Sequence, residues 1–147
     1  LKKTSVKTLL GRTDVVDFPK LELFNIDIKI DTGAYTSSFH CHSIEEENNV
    51  LKCQFLDPKH EKYHEKYFTF TEFTQKMVKS SNGITENRYL IKTEILIFNE
   101  IHSIELSLTE RGSMKFPVLL GRKFLSKKFM VDTAKKNLSF KNILIKI

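Results

Sequence analysis

The sequence predicts an all-β domain, and three observations carry that reading. Hydrophobic residues recur at every second position through several segments, the period of a half-buried strand. Short clusters rich in Asn, Glu, Ser and Gly separate those segments, as hairpin turns would. Apart from a polar turn at 59–67, one stretch reads as a helix, GRKFLSKK at 121–128, and it is short.

In LFNIDIKID, residues 23–31, Phe24, Ile26, Ile28 and Ile30 fall on one face and Asn25, Asp27, Lys29 and Asp31 on the other. EEENN at 45–49 turns the chain, and a hairpin centred on Glu47 would set Cys41 opposite Cys53. FTFTEF at 68–73, YLIKTEILIF at 89–98 and IHSIELSLT at 101–109 alternate in the same way. Their turns are SSNG at 80–83, FNE at 98–100 and ERGS at 110–113. Asn82 and Gly83 both tolerate positive φ, so they predict a two-residue hairpin turn with Lys79 opposite Glu86 and Met77 opposite Arg88. The tetrapeptide LLGR stands at 9–12 and again at 119–122, but its flanks diverge and the repeat reads as coincidence.

With 147 residues the chain suits one domain, 1–147, and is too short for two lobes of ordinary enzyme size. Twelve Phe and sparse Gly and Pro exclude the disordered class. No apolar run approaches the roughly 20 residues that cross a bilayer. Cytoplasm is the expected compartment; the chain opens at Leu1, which leaves an upstream export signal open. Two cysteines make no disulfide framework, and free thiols in a reducing compartment are expected. The formal charge of +6 favours an anionic partner. Its lysines are scattered among acids, without the dense basic block or aromatic platform of a nucleic-acid groove, so neither nucleic acid nor membrane is expected to bind.

Two motifs compete for the chemistry. His60, Glu61 and His64 form H-E-x-x-H, which on a helix aligns two imidazoles for zinc and a glutamate for the metal-bound water. A zinc protease needs that motif inside a long helix with an apolar face. Here it begins just after Pro58, every position is polar or amphipathic, and a strand-like segment follows, so metalloprotease chemistry is the weaker alternative. His40 and His42 share a strand face with Cys41 pointing away, so HCH cannot close around one ion.

The second motif is Asp31-Thr32-Gly33 at the end of an apolar strand. Carboxylate peptide hydrolysis needs two acids sharing one proton. A glycine after the aspartate permits the tight turn and lets backbone N–H groups approach the carboxylate, and a threonine hydroxyl can bond across to a partner loop. Asp132-Thr133-Ala134 offers a second loop, but alanine is a poor substitute for the glycine.

The stretch KIDTGAYTSSFH from Lys29 to His40, followed by SSNGITENRYLIKT and by IELSLTERGSMKFPVLLGRKFL, resembles the retropepsin-like aspartic protease family labelled ATP-dependent zinc proteases of the RimK-associated type. The likeness spans roughly residues 9 to 140. It implies a single-lobed acid-protease barrel with one short helix near the C-terminus, and a homodimer in which Asp31 is catalytic and Thr32 and Gly33 shape its loop. It also implies a flap at Asn82-Gly83, a substrate-binding set of Ala34, Asn82, Gly83, Glu86, Arg88 and Arg111, and an apolar-Gly segment at LLGRKFL. Structural ion pairing is the other role open to Glu86, Arg88, Arg111 and Arg122. His40 lies on the family pattern as well.

The expected activity is aspartic endopeptidase on acidic or glutamate-rich peptides, since family members accompany ligases that add glutamate. A non-catalytic peptide-binding module of the same fold is the alternative. No cofactor is expected: no phosphate-cradling G-x-x-x-x-G-K loop is present for ATP, and these residues give the zinc of the family label no support.

Overall fold

A computed structural model of the chain describes residues 6–79, 83–110 and 115–145. Its strands are β1 (Thr8–Leu10), β2 (Thr13–Phe18), β3 (Leu23–Ile30), β4 (Ser37–Glu47), β5 (Val50–Phe55), β6 (Phe68–Phe70), β7 (Thr74–Lys79), β8 (Thr85–Ile97), β9 (Glu100–Thr109), β10 (Val118–Leu120) and β11 (Phe129–Val131). A 3-10 turn (Pro19–Leu21) and two helices, α1 (Arg122–Leu125) and α2 (Leu138–Ile145), complete the described elements. Hydrogen-bonded neighbours run β10, β3, β2, β8, β9, β4, and β4 pairs back with β10. This closes a barrel of six strands, which removes the free edges an open sheet would present. β5 and β6 extend from β4, β7 pairs with the first half of β8, and β1 and β11 form a separate parallel pair.

Alternation fills the barrel. Ile26, Ile28 and Ile30 of β3, Ile91, Ile95 and Ile97 of β8, and Ile104, Leu106 and Leu108 of β9 are buried. Phe39 sits between Phe18 and Phe55 with ring centroids 5.0 Å from each. Burying each such side chain stabilises the fold by about 1.5–3 kcal/mol. No helix among the described residues is long and apolar enough to cross a membrane.

Four local expectations are corrected. In β3 it is Leu23 that is buried and Phe24 that is exposed. Asn25 takes φ 55°, its N–H donates to Asp17 Oδ1 at 2.7 Å, and the pairing with β2 shifts register between Val16 and Phe18, a bulge that reverses the alternation. The β4–β5 turn is Asn48-Asn49, both at positive φ, as a two-residue hairpin turn of the mirror-image type requires. Cys53 therefore opposes Ile44, and Cys41 opposes Phe55 beyond another register shift. The same shift separates the HCH histidines, leaving His40 buried and His42 exposed. In the β7–β8 arm Met77 opposes Asn87 and Lys76 opposes Arg88. Lys79 opposes Thr85 where Glu86 was expected, and residue 82 of the expected turn lies outside the described residues.

The second helix, α2, is the fourth correction, and its start is fixed by a residue far away in sequence. Asp14, 1% exposed, accepts from Ser139 N at 2.9 Å and Phe140 N at 3.2 Å, and from its neighbour Val15 N at 2.7 Å. The carboxylate thus satisfies helix-terminal donors that would otherwise be orphaned. Burial raises its pKa, against the opposing pull of these three backbone donors. Asp14→Ala is expected to cost about 2–3 kcal/mol, read as a lower urea midpoint with an unchanged slope.

Both cysteines are free and buried. Burial pushes the Cys53 thiol up to about 12, and burial together with nearby Cys53 raises Cys41, so both are poor nucleophiles.

Candidate active site

β3 runs out at Ile30, and the chain turns at once. Asp31 N donates to Leu120 O of β10 at 2.9 Å, and Ala34 N returns to Asp31 O at 3.2 Å. Gly33 N donates to Asp31 Oδ1 at 3.1 Å. Gly33 is not in the left-handed region, so the turn does not need glycine for its φ. A Cβ there would stand 3.3 Å from Asp31 Oδ1, so the glycine keeps space for its own N–H to meet the carboxylate. Asp31 is half-buried, and Thr32 and Gly33 are exposed.

The loop is clamped from behind by β10 and α1. Gly121 N donates to Ser37 Oγ at 3.0 Å, Arg122 N to Ala34 O at 2.9 Å and Lys123 N to Tyr35 O at 2.9 Å. The Arg122 guanidinium reaches Thr32 O at 2.9 Å. The first N–H groups of α1 are thereby satisfied by the loop itself. Arg122 thus acts as a structural clamp through hydrogen bonds to a carbonyl.

A second copy of this arrangement lies at the other LLGR. Asp132 N donates to Leu10 O at 2.9 Å, Lys135 N to Asp132 O at 3.1 Å and Arg12 N to Lys135 O at 2.8 Å. Ala134 N donates to Asp132 Oδ1 at 2.9 Å, and Arg12 Nη1 lies 3.4 Å from Thr133 O. LLGR at 9–12 thus holds Asp132-Thr133-Ala134 through the same Leu, Arg and within-turn hydrogen bonds by which LLGR at 119–122 holds Asp31-Thr32-Gly33. The repeat is structural, correcting the reading of coincidence. Its signal was present in the sequence: each tetrapeptide has a D-T turn as its counterpart.

A cleft of about 390 Å³ lies between the loop and the β7–β8 arm, lined by Ala34, Tyr35 and Thr36, by Lys76 and Met77, and by Arg88, Leu90 and Ser107. Tyr35 and Met77 are 55% and 62% exposed, an unusual investment of apolar surface in one place. Arg88 Nη2 is 3.4 Å from Glu86 Oε2, while its Nε is buried without a hydrogen-bond partner. Of the sequence-predicted set, Ala34 and Arg88 meet in this cleft. Glu86 lines an adjoining recess that shares Arg88. Gly83, at φ 85°, is exposed in the connection of the arm, and Asn82 and Arg111 lie outside the described residues. Tyr35, Thr36, Lys76, Met77, Leu90 and Ser107 were not anticipated.

The base of the arm is tied to β4. Tyr89 Oη and Gln75 Nε2 both donate to Glu46 Oε1 at 3.0 Å, and Asn87 Nδ2 donates to Gln75 Oε1 at 2.6 Å.

The zinc motif is not on a helix. Residues 57–67 are turns and irregular chain. His60 Nδ1 accepts from Lys62 N at 3.0 Å, and His64 packs on Phe68 with both ring nitrogens buried and unpartnered. Among the described residues no three His, Cys, Asp or Glu side chains are grouped to hold a metal ion, so the donor set does not fit zinc. His40 is buried with Nε2 4.0 Å from Asp57 Oδ2, and burial lowers its pKa despite that neighbour.

The chain is similar to several known proteins. A protein of Desulfotalea psychrophila named probable alpha-L-glutamate ligase is 26% identical over 87% of this chain and 28% of its own length. A protein of the same name from Shewanella pealeana is 33% identical over 86% of this chain, again 28% of the relative. The chain therefore spans about 28% of the length of the curated relatives it matches. The crystal structure of Lpg0085 from Legionella pneumophila, of unknown function, superposes with a TM-score of 0.65 at 21% identity, covering 91% of this chain and 99% of that one, and supports the fold. The RimB-like family, described as retropepsin-like aspartic endopeptidase RimB, matches residues 9–142. A closed barrel carrying a clamped Asp-Thr-Gly loop and a sequence match over nearly its whole length place this chain in the RimB-like family of retropepsin-like aspartic endopeptidases.

Proposed function

We propose that the protein is an aspartic endopeptidase acting as a twofold homodimer, with one Asp31 from each subunit. The observation that carries this reading is a carboxylate on a clamped turn whose following residues, Ala34 to Thr36, line a cleft of about 390 Å³, with Gly33 N as its one hydrogen-bond donor among the described residues. One acid cannot both accept a proton from water and donate one to the scissile carbonyl. An isologous interface supplies the second acid by bringing Asp31 against its own copy. Two carboxylates that close cannot both ionise, so they share a proton. The ionised one takes a proton from water as its oxygen attacks the carbonyl carbon, and the other protonates the carbonyl oxygen. Collapse of the tetrahedral intermediate then breaks the C–N bond: the first acid passes the proton it took from water to the leaving amine nitrogen, and the second recovers its own from the hydroxyl that becomes the new carbonyl. Thr32, exposed beside Asp31, is free to hydrogen-bond across the axis.

Acidic peptides are the substrate class. Lys76 and the under-partnered Arg88 line the cleft, and the chain carries +6 overall. The relatives' name, glutamate ligase, fits a partner chemistry that makes the bonds such an enzyme would cut.

Incubation with glutamate-rich peptides between about pH 4 and 8 tests the proposal, because shared-proton acids give a bell-shaped profile. Cleavage is expected to stop with a statine-type inhibitor, to ignore EDTA, and to rise per subunit with protein concentration. Loss of activity in EDTA would turn the assignment to a metalloenzyme. Binding without cleavage at any concentration would leave a peptide-binding module.

A further inference from the structure

We infer that the substrate surface continues past the cleft into a second recess, which takes an apolar side chain of the bound peptide. This recess, about 550 Å³, is lined by residues 69–74 together with Leu90, Lys92 and Glu105. Leu90 belongs to both cavities. It pairs with Ser107 on the cleft side, and the next pair on the same face of the ladder is Lys92 with Glu105, two residues or about 7 Å further on. A peptide lying extended over the cleft therefore reaches the recess within about two to four residues.

The lining states what it takes. Phe70 and Phe73 are half-buried and fixed by edge contacts, Phe70 to Phe55 at 6.4 Å and Phe73 to Tyr89 at 5.8 Å. With Leu90 they make an apolar floor already in place before any ligand arrives. At the rim Glu105 is engaged by Lys123 at 2.8 Å, whereas the Lys92 side chain is exposed and has no ion pair or hydrogen bond among the described residues. An apolar side chain on an acidic backbone segment matches floor and rim together. The recess would select the protein that bears the acidic segment, where the cleft selects the segment itself. This inference rests on the peptide-substrate reading above, though not on turnover.

The test uses Asp31→Asn protein, which holds peptides without cutting them, and fluorescein-labelled glutamate-rich peptides that each carry one phenylalanine at a different position, beside serine counterparts. Anisotropy titration is expected to show about tenfold tighter binding for phenylalanine at one or two adjacent positions. Thr71→Trp, on the exposed bend, and separately Thr69→Trp would fill the recess and erase the preference while leaving serine peptides unaffected. Equal binding at every position, or a preference surviving in both tryptophan variants, overturns the inference. A preference found in a protein that cleaves nothing leaves the recess standing and removes only the peptidase assignment.

Discussion

Asp31→Asn is expected to lower kcat by at least about a thousandfold while moving Tm by no more than about 2 °C. The asymmetry follows from what the carboxylate does in the fold. Its hydrogen bond with a protein donor is from Gly33 N to Oδ1, and the asparagine carbonyl oxygen accepts the same bond. The loop is otherwise held by hydrogen bonds with Leu120, Gly121 and Arg122, none of which involves the carboxylate. What asparagine cannot do is take a proton from water at neutral pH. Mixing sharpens the test. If the site straddles a twofold axis, equal amounts of variant and wild type assort into one quarter wild-type dimers, so the wild-type activity falls to about half after subunit exchange. A self-sufficient subunit would show no such loss, and undiminished turnover by the variant alone would remove Asp31 from the chemistry.

The barrel was readable because alternation is a local signal that survives folding when one strand face is buried. Ile26, Ile28 and Ile30 read correctly for that reason. Phe24 did not, because the bulge at Asn25 depends on Asp17 across the ladder, and nothing within LFNID announces it. Turn position failed at EEENN for a related reason. Any of its residues tolerates a turn, but both Asn48 and Asn49 tolerate the positive φ that a two-residue hairpin needs. Helix α2 begins where Asp14 reaches it, 125 residues away in sequence, beyond any local reading. At the candidate site, the Asp31-Thr32-Gly33 turn was legible from three letters and their strand. Met77, Leu90 and Ser107 were not, since strand pairing alone brings them beside Tyr35. The LLGR repeat was visible, yet its meaning lay in contacts 121 and 90 residues apart in sequence that make each copy the clamp of a D-T turn.

That clamp makes Gly121→Ala the other variant with a large expected effect. A Cβ at 121 would lie 2.7 Å from Tyr35 O, 2.9 Å from Ala34 O and 2.9 Å from Thr36 C. All three are backbone atoms, so no side chain can swing aside, and the loop bearing Asp31 must move away from α1. Overpacking of this kind costs about 3 kcal/mol, which lowers Tm by about 10 °C in a domain of this size. The rate should fall further than stability explains, because a displacement of about 1 Å in a reacting group costs on the order of a hundredfold. Gly11→Ala is the internal comparison: its Cβ would meet Lys135 O at 2.4 Å, so it disturbs the twin loop at Asp132. Both alanine variants should unfold at lower denaturant concentration, but activity per folded molecule should collapse only for Gly121→Ala. Equal activity losses in the two, measured at matched folded fractions, would show that the Asp31 loop is no more dependent on its clamp than the rest of the barrel.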